Sequence, residues 1–409
     1  MALASTSLVQ VRYIAEVTPG VTPTSGQNYD LRVTGESFDY AIQKEISKEI
    51  NASRVTSSES PVSATTSGGV QAELSYNEYD QILASLMQST WTVFGTAGVQ
   101  GTGSTADFAT GTITASVATS GADSWATLKK GQWFRISCAT SANNGKLFRV
   151  HSSTAPTTTV ITLDANTPGI AATGVTAVKV QTSRLTHGTT QTSFSIERQA
   201  LDVGQYFVYK GQTPSKLSLN IASGALSTMS IDFTGLGVNR DTSTNLTGST
   251  NNPSTAYKIH SGVSNSASFI WEGGAPNANT YVKSCAIEFD NALRSQSAIG
   301  SLAPVAIASG TIMAKATLQV YFADGDLFDK FVANTTSSLM IASLDSDGNG
   351  YVISAPVANV STFKITAGAK DQDLMADITM TLLADTGNAD AALRKVLFID
   401  RVGVAVTRT

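Results

Sequence analysis

The sequence repeats one short pattern, and this internal repeat is the feature that most restricts the possible folds. An alternating run of apolar and polar residues over 70–76 precedes a segment, 80–87, whose apolar residues recur at helical spacing. About 242 residues later, an alternating run over 313–321 precedes a second segment of this kind, 326–332. Each copy predicts a strand followed by a short helix, so we expect the chain to fold as two like units.

A second pair of similar segments follows in the same order. Residues 219–234 and residues 363–380 each predict a strand that ends at a Gly-Ala turn and a returning strand that contains a Met. This pair is offset by about 144 residues, whereas the first pair is offset by about 242. The difference of about 98 residues predicts an insertion between the helix and the late hairpin of the first copy.

The composition of the extra segment is that of a small β domain. A Gly-, Thr- and Ser-rich stretch over 95–103 leads into short alternating runs that are separated by Asn-Gly and Pro-containing turns. Such runs are typical of a small closed β-barrel or sandwich. The predicted organisation is an amino-terminal arm (1–30), a first module (31–94 and 185–238), an inserted domain (95–184), a linker and strand region (239–280) and a second module (281–409).

The overall composition supports this β-rich organisation. Charged residues make up 14% of the chain, compared with roughly 25% in an ordinary soluble domain. Thr, Val, Ser and 33 Gly take their place, and these residues favour short strands joined by tight turns. We predict a mainly β fold with two tandem copies of a β-barrel or sandwich module, each with a short helix, and an inserted small β-domain.

No pattern in the sequence indicates an enzyme, a metal site or a cofactor. The three histidines do not stand at ligand spacing from another His, Cys or Glu. Asp345 to Gly350 copies the first six positions of a calcium loop, but the twelfth position, which needs a bidentate Glu, is Pro356. A hairpin turn with Asp-Gly and Asn-Gly is the simpler interpretation. We therefore expect no catalysis and no cofactor.

Charge and hydropathy exclude two further classes of protein. The net charge of −4 gives no basic surface that would bind nucleic-acid phosphates avidly. No apolar run approaches the roughly 18 residues of a membrane span, and the first residues lack the basic start and apolar core of a signal peptide. Two cysteines, Cys138 and Cys285, are too few for a secreted disulfide scaffold. We expect a protein that is made in the cytosol and has no membrane partner.

The order of several short motifs resembles the tail tube (major tail) proteins of long-tailed bacteriophages. The motifs are spread over nearly the whole chain, at Tyr13 to Pro23, Leu31 to Phe38, Glu73 to Asp80, Ser193 to Gln199, Ile287 to Arg294, Tyr321 to Asp324 and Phe398 to Arg401. Each motif alone is weak, and the Ser-, Thr- and Asn-rich segment 241–257 matches nothing. The resemblance implies modules of the tail-tube type, a structural role and a place in the virion, after assembly in the host cytoplasm.

The resemblance also implies how the chain is used. Such tails are stacked rings of six modules around a channel for the genome. A chain with two modules would close a ring as a trimer with pseudo-sixfold symmetry, and six chains per ring stay open as the alternative. The implied partners are further copies of the chain, the tape measure and tail-end proteins, and genomic DNA that passes without specific binding. A neutral or acidic channel would avoid holding that DNA.

Seven residues are candidates for contacts between subunits, namely Arg54, Tyr76, Tyr79, Asp80, Arg294, Tyr321 and Asp326. Both arginines could pair with carboxylates of the next ring, beside two polar loops, 55–67 and 298–309, that are candidates for ring-to-ring contacts. For the tyrosines near residue 80 there is an alternative inside the subunit. In that alternative the tyrosines pack against their own module and the aspartate begins or caps the helix.

A receptor- or glycan-binding module is the second hypothesis. On the inserted domain, Trp133 and Phe134 could form a sugar-binding face, and the Ser- and Thr-rich surface would suit a virion surface module. The alternative for these two aromatic residues is the ordinary core of a small barrel. The exposure of Trp133 distinguishes the two.

Overall fold

The computed structural model describes residues 4–50, 52–95, 104–139, 141–263, 269–271, 281–322, 325–368, 370–406 and 408. Over these residues the prediction of a mainly β fold is confirmed, with 27 strands and two α-helices. The helices are α1 (Asp80–Leu86) and α2 (Asp326–Ala333). Single 3-10 turns lie at Thr6–Leu8, Gly121–Asp123, Trp125–Thr127 and Ala391–Leu393.

The strands up to the middle of the chain are β1 (Val9–Ala15), β2 (Gly26–Asp30), β3 (Gly35–Glu36), β4 (Asp39–Ile46), β5 (Glu59–Glu73), β6 (Thr92–Val93), β7 (Ser104–Phe108), β8 (Thr112–Ala115), β9 (Trp133–Ser137), β10 (Leu147–Arg149), β11 (Val160–Thr162), β12 (Ala172–Gln181), β13 (Ser183–Thr186) and β14 (Phe194–Ala200). The later strands are β15 (Gln205–Ala222), β16 (Thr228–Gly235), β17 (Gly237–Asp241), β18 (Ser249–Asn252), β19 (Phe269–Trp271), β20 (Val282–Asp290), β21 (Arg294–Gln296), β22 (Ala306–Ala308), β23 (Met313–Tyr321), β24 (Thr336–Leu344), β25 (Gly350–Thr366), β26 (Met375–Leu383) and β27 (Phe398–Val402).

The two copies of the repeat fold in the same way. In the first copy β5 leads into α1, and β5 pairs with β16, which pairs with β15. In the second copy β23 leads into α2, and β23 pairs with β26, which pairs with β25. Buried and more exposed residues alternate along β16 and β26, as expected for antiparallel sheets with one face on a core. The internal repeat of the sequence is therefore a repeat of topology.

One row of strands joins the two modules. The second half of β15 pairs on its other side with β20, which pairs with β23 of the second copy. The row therefore runs β3, the second half of β5, β16, β15, β20, β23, β26, β25. At the junction Leu217 lies opposite Phe289 and Leu219 opposite Ile287. These buried pairs make the junction part of the core.

A second layer of strands covers the apolar face of each module. In the first module it contains β1, β14, β17 and the first half of β15. In the second module it contains β24, β27 and the first half of β25, and β13 extends it beside β27. The long strands β15 and β25 pass from one layer to the other. The core between the layers is one cluster of buried residues that runs through both modules.

The inserted segment forms its own six-stranded sheet, in the order β10, β9, β12, β7, β8, β11. A separate apolar cluster fills it, with Trp125, Phe134 and Phe148 among its buried residues. Its stems, β6 and β13, pair with each other, and β13 pairs with β27 of the second module. The insertion therefore interrupts the sequence of the first copy, but in the structure it is joined to the second copy. Of the Gly-, Thr- and Ser-rich stretch 95–103 at its predicted start, residues 96–103 lie outside the described residues, and the domain boundaries stay a prediction.

The amino-terminal region differs from the expected arm. From residue 9 onward it belongs to the sheets of the subunit, because β1 pairs with β14 and with β2. The side chains of Val11 and Tyr13 are buried in the main core. Because the stretch 18–28 is polar and contains Pro, residues 1–30 look like an arm in the sequence, and the short alternating strand β1 was not predicted. In the linker and strand region, β18 pairs in parallel with β2, and residues 264–268 and 272–280 lie outside the described part of the chain.

Candidate assembly surfaces

The seven residues predicted for assembly do not form one surface. Three are exposed on the subunit (Arg54, Arg294 and Tyr321), and three are buried inside it (Tyr76, Tyr79 and Asp80). The seventh, Asp326, is the first residue of α2, and its side chain lies outside the described residues. The exposed and the buried groups therefore have different roles.

Asp80 is the centre of a buried polar cluster between the modules. Its carboxylate pairs with the guanidinium of Arg401 in β27, and its Oδ1 accepts a hydrogen bond from Tyr351 Oη at 2.5 Å. The Arg401 guanidinium also lies 4.6 Å from the ring centre of Trp91. Burial, together with the negative charge of Asp80, raises the pKa of Tyr351 well above its usual value, so the phenol stays a hydrogen-bond donor. These partners compensate the charge that α1 carries into the core.

The two tyrosines before α1 are bonded within the same subunit. Tyr76 Oη donates to the carbonyl of Val404 at 2.7 Å, and Tyr79 Oη donates to the carbonyl of Arg32 at 2.7 Å. Burial is the main cause that raises the pKa of both phenols. Because both side chains and Asp80 are buried and bonded, they offer no surface to a second copy in this conformation. Asp80 begins α1, as in the alternative interpretation.

A long exposed hairpin carries Arg54. It is formed by β4 and the first half of β5, which pair from Asp39 opposite Ser67 to Ile46 opposite Glu59. Nearly all of β4 is exposed on the subunit. The hairpin carries five exposed large apolar side chains, Ile42, Ile46, Ile50, Val55 and Val62. Such a concentration of apolar residues on one protruding element is typical of an interaction surface.

The second module has a shorter hairpin at the equivalent place. It is formed by β21 and β22, and it begins at the exposed Arg294. The carbonyl of Leu302 in its loop accepts a hydrogen bond from the backbone N–H of Ala64 at 2.8 Å. The two hairpins therefore lie side by side on the same side of the molecule.

The face of the strand row that points away from the core is polar. Outside the bulge at Val282 to Ser284, its carboxylates are Glu73, Asp232, Glu288, Asp290 and Asp377, and its lysines are Lys216, Lys315 and Lys364. Glu288 Oε2 accepts from Lys216 Nζ at 2.9 Å and Oε1 accepts from Lys315 Nζ at 3.2 Å. The hydrogen bond from Lys216 is the main cause that lowers the pKa of Glu288. Carboxylates outnumber lysines on this face, which leaves it negatively charged.

Trp133 fills the contact between the inserted domain and the second module. Its side chain is only 3% exposed and belongs to an apolar cluster with Met340, Leu344 and Val352. Its backbone N–H donates to Asp400 Oδ2 at 3.0 Å. The neighbouring Phe134 is fully buried in the core of the insertion. The second hypothesis, that these two residues form a sugar-binding face, is therefore wrong, because both rings are covered by the chain itself.

The segment that copies a calcium loop is a hairpin turn between β24 and β25. Asp345 Oδ1 accepts from the backbone N–H groups of Asp347 and Asn349, at 2.8 and 2.9 Å. The Asp347 carboxylate pairs with Lys258 Nζ at 2.7 Å. Among the described residues, no group of three or more His, Cys, Asp or Glu side chains is arranged to hold a metal ion.

Sequence reasoning missed three buried ion pairs that fix the chain. They are Arg184 with Asp400, Arg401 with Asp80, and Arg408 with Glu78. The available signal was the position of Asp400 and Arg401 inside an apolar run at the end of the chain, where unpaired charges would be costly. The partners could not be assigned because they are hundreds of residues away.

The fold and its surfaces define the class of the protein, a mainly β subunit built from two like modules with an inserted β domain. A family model described as phage tail tube protein matches residues 6–382, and the chain belongs to this family. It is a structural component of a phage tail and hence of the virion. No individual curated protein was found to match the chain. No helix of the described residues is long and apolar enough to cross a membrane.

Proposed function

We propose that three copies of this chain close each ring of the tail tube, with six modules per ring. The observation that carries this proposal is the β15–β20 junction, which places two modules of the same topology side by side in one row of strands. A trimer repeats this junction between chains and closes the row on itself, as cyclic symmetry requires. A ring of six chains would contain twelve modules, twice the number that the resemblance implies.

The polar face of the strand row lines the channel in this proposal. Its opposite face is covered by the second layer of each module, so the polar face is the one that is free to meet water and DNA. Each cationic contact to a phosphate would add affinity through counterion release, and many stacked rings would multiply it. The excess of carboxylates over lysines on this face avoids such contacts and lets the genome pass.

Contacts between successive rings are assigned to the long hairpin around Arg54 and the short hairpin at Arg294. Their apolar side chains, such as Ile46 and Ile50, supply the area that a stable contact needs. Exposed ion pairs made by the two arginines would each contribute about 0–1 kcal/mol, so they set the register of the rings more than their affinity.

The remaining partners follow from the same role. The tube ends on tail-end proteins, the channel holds the tape measure protein before the genome, and the subunits assemble in the host cytoplasm. The role requires neither catalysis nor a cofactor.

Electron microscopy and native mass spectrometry of the purified chain test this function. We expect hollow rings or tubes, with the mass of three chains in the smallest closed ring. A chain that stays monomeric at every concentration and ionic strength, and that forms no tube in a particle, would overturn the role. Rings of six chains would overturn the proposed trimer, but they would still agree with the tail tube role.

A further inference from the structure

Equivalent helix residues of the two modules differ sharply in exposure. Both helices begin at an aspartate, so the third residues, Ile82 and Phe328, are equivalent, and so are the seventh residues, Leu86 and Val332. Ile82 and Leu86 are both 0% exposed, whereas Phe328 is 45% and Val332 is 66% exposed. The same position of the repeat is core in one copy and surface in the other.

The strand beside each helix differs in the same way. Ile221 and Ile365 each lie three residues before a Gly-Ala turn, yet Ile221 is 5% exposed and Ile365 is 42% exposed. In the first module β20 pairs with β15 at this place and sets Cys285 opposite Ile221. In the described part of the chain, no strand pairs with the corresponding edge of β25 beyond Asn359.

The cause of the difference is the module that follows. Asn291, two residues beyond Phe289 at the end of β20, donates its Nδ2 to the carbonyl of Leu86 at 2.6 Å. The second module thus covers both α1 and the edge of β15. Among the residues that the structure describes, none performs this function for α2 and β25.

We propose that the end of the second module, comprising Phe328, Val332 and residues 360–366, is a socket that the first module of another copy fills in the ring. The proposal rests on the proposed function and names the contact that closes the ring. Its occupant is the segment 34–38 of the neighbouring copy, added as a strand to the open edge of β25. A second copy is the occupant because the chain already presents that arrangement once, between its own modules.

The register of this contact follows from the repeat. The two helices are offset by 246 residues, about four more than the offset of the sequence repeat, and at this offset Gly68 is equivalent to Ala314. Ala314 pairs with Phe289, and Phe38 lies against Gly68, where an added Cβ would come 2.5 Å from Phe38 Cα. Phe38 is therefore the equivalent of Phe289, and the segment 34–38 is the equivalent of the middle of β20.

The other side of the contact is fixed by the strand ladders. Leu217 pairs with Ile231, and Val360 pairs with Met380. Ile231 lies two residues before Phe233, the partner of Gly68, and Met380 lies two residues before Leu382, the partner of Ala314. Ile231 and Met380 are therefore equivalent, and so are their partners Leu217 and Val360. Transfer of the β15–β20 register then places Phe38 of one copy opposite Val360 of the next.

The same register gives two further pairs across the contact. Glu36 faces Phe363, and Thr34 faces Ile365. The Glu36 carboxylate is already paired with Arg198 at 3.0 Å within its own subunit, so its burial in the ring does not leave a bare charge. Tyr40, two residues beyond Phe38, takes the place of Asn291 and comes to lie at the last turn of α2, beside Val332.

Cross-linking tests the register. In the Thr34→Cys, Ile365→Cys variant, mild oxidation or a short bismaleimide should join neighbouring copies covalently, with a ladder that ends at the closed ring. The control is Thr34→Cys with Val117→Cys, since Val117 is exposed on the insertion, and this control should give only single chains. Rings that form normally but give no ladder with the first variant would overturn the proposed contact.

A charge in the socket tests its energetic role. Val332→Asp would place a carboxylate against the neighbouring module, and we expect the assembled fraction to fall by about tenfold or more. Val117→Asp, at an equally exposed valine, should assemble as the unchanged chain does. Circular dichroism of the monomers checks that both variants fold. If the unchanged chain assembles and Val332→Asp assembles equally well, the socket is wrong; if the unchanged chain forms no ring, the tube function itself fails.

Discussion

Arg184 and Asp400 form a buried two-point ion pair between the stem of the insertion and the last strand of the second module. Arg184 Nε donates to Oδ1 and Nη2 donates to Oδ2, both at 2.7 Å. The same carboxylate accepts the backbone N–H of Trp133. The guanidinium also lies 4.6 Å from the ring centre of Phe398. One carboxylate therefore holds the insertion against the module that is distant from it in sequence.

Removal of the Asp400 charge should destabilise the subunit strongly. Asp400→Asn leaves Arg184 buried without its counter-ion, so we expect the free energy of unfolding to fall by about 3–5 kcal/mol. Urea denaturation of the monomer at neutral pH measures this loss. The matched control is Asp347→Asn, which breaks an exposed pair with Lys258 and should leave the free energy of unfolding nearly unchanged. Equal losses in the two variants would contradict the role of burial.

Gly68 should tolerate no side chain. Its φ of +145° is disfavoured for other residues, and an added Cβ would come 2.5 Å from Ser37 O and Phe38 Cα. Because the close contact is with backbone atoms, Gly68→Ala must shift β5 or the 37–38 segment, and we expect a loss of several kcal/mol, roughly 2–4. Thermal unfolding should show a clear fall in Tm. Gly237→Ala should leave the Tm nearly unchanged, because an added Cβ there would have no atom within 4 Å apart from its own residue and its chain neighbours. A similar fall in that variant would refute the steric explanation.

Local pattern and repetition are sufficient to predict much of this fold. The alternation along β5 and β23, the helical spacing after each, and the Asp at the start of both helices are written in short segments. Their recurrence in the same order predicts the two modules and the insertion. These features are local, so they do not depend on knowing which distant segments meet.

The contacts between distant segments could not be predicted in the same way. Asp80 looks like a helix start in the sequence, and only the packing of β27 brings Arg401 to it. The sequence leaves a sugar-binding face and a core open for Trp133, and only the fold brings Met340 against it. The exposure of Phe328 and Val332 also depends on the fold, because the identical position in the first module is buried.

His260 should make the subunit less stable in mild acid. It is buried, its Nδ1 lies 3.1 Å from Ser343 Oγ, and burial lowers its pKa from 6.5 to about 4. The unfolded chain therefore takes up a proton on this side chain at higher pH than the folded chain does. The contribution to stability is complete above pH 6.5 and is lost as the pH falls towards 4, up to about 3 kcal/mol.

The difference between variants isolates this effect from the titration of carboxylates. His260→Gln should flatten the decline in the free energy of unfolding between pH 6.5 and 4 relative to the unchanged chain. Urea denaturation at several pH values measures the slopes. A decline that is the same for the variant and the unchanged chain would show that His260 does not titrate in this way.

The charge of the channel face should control how fast DNA leaves the particle. Asp232 is exposed on the polar face of the row, and Asp232→Lys replaces a negative with a positive charge, a change of two charge units per chain on the proposed channel wall. We expect particles with this variant to assemble but to release DNA more slowly, by about tenfold or more at low salt. The delay should shrink as salt rises, because counterion release weakens with ionic strength.

The control is Asp241→Lys, at an exposed position on β17 outside the row. It makes the same charge change, and particles that carry it should release DNA at the normal rate. Normal release from the Asp232→Lys particles at every salt concentration would mean that another face lines the channel.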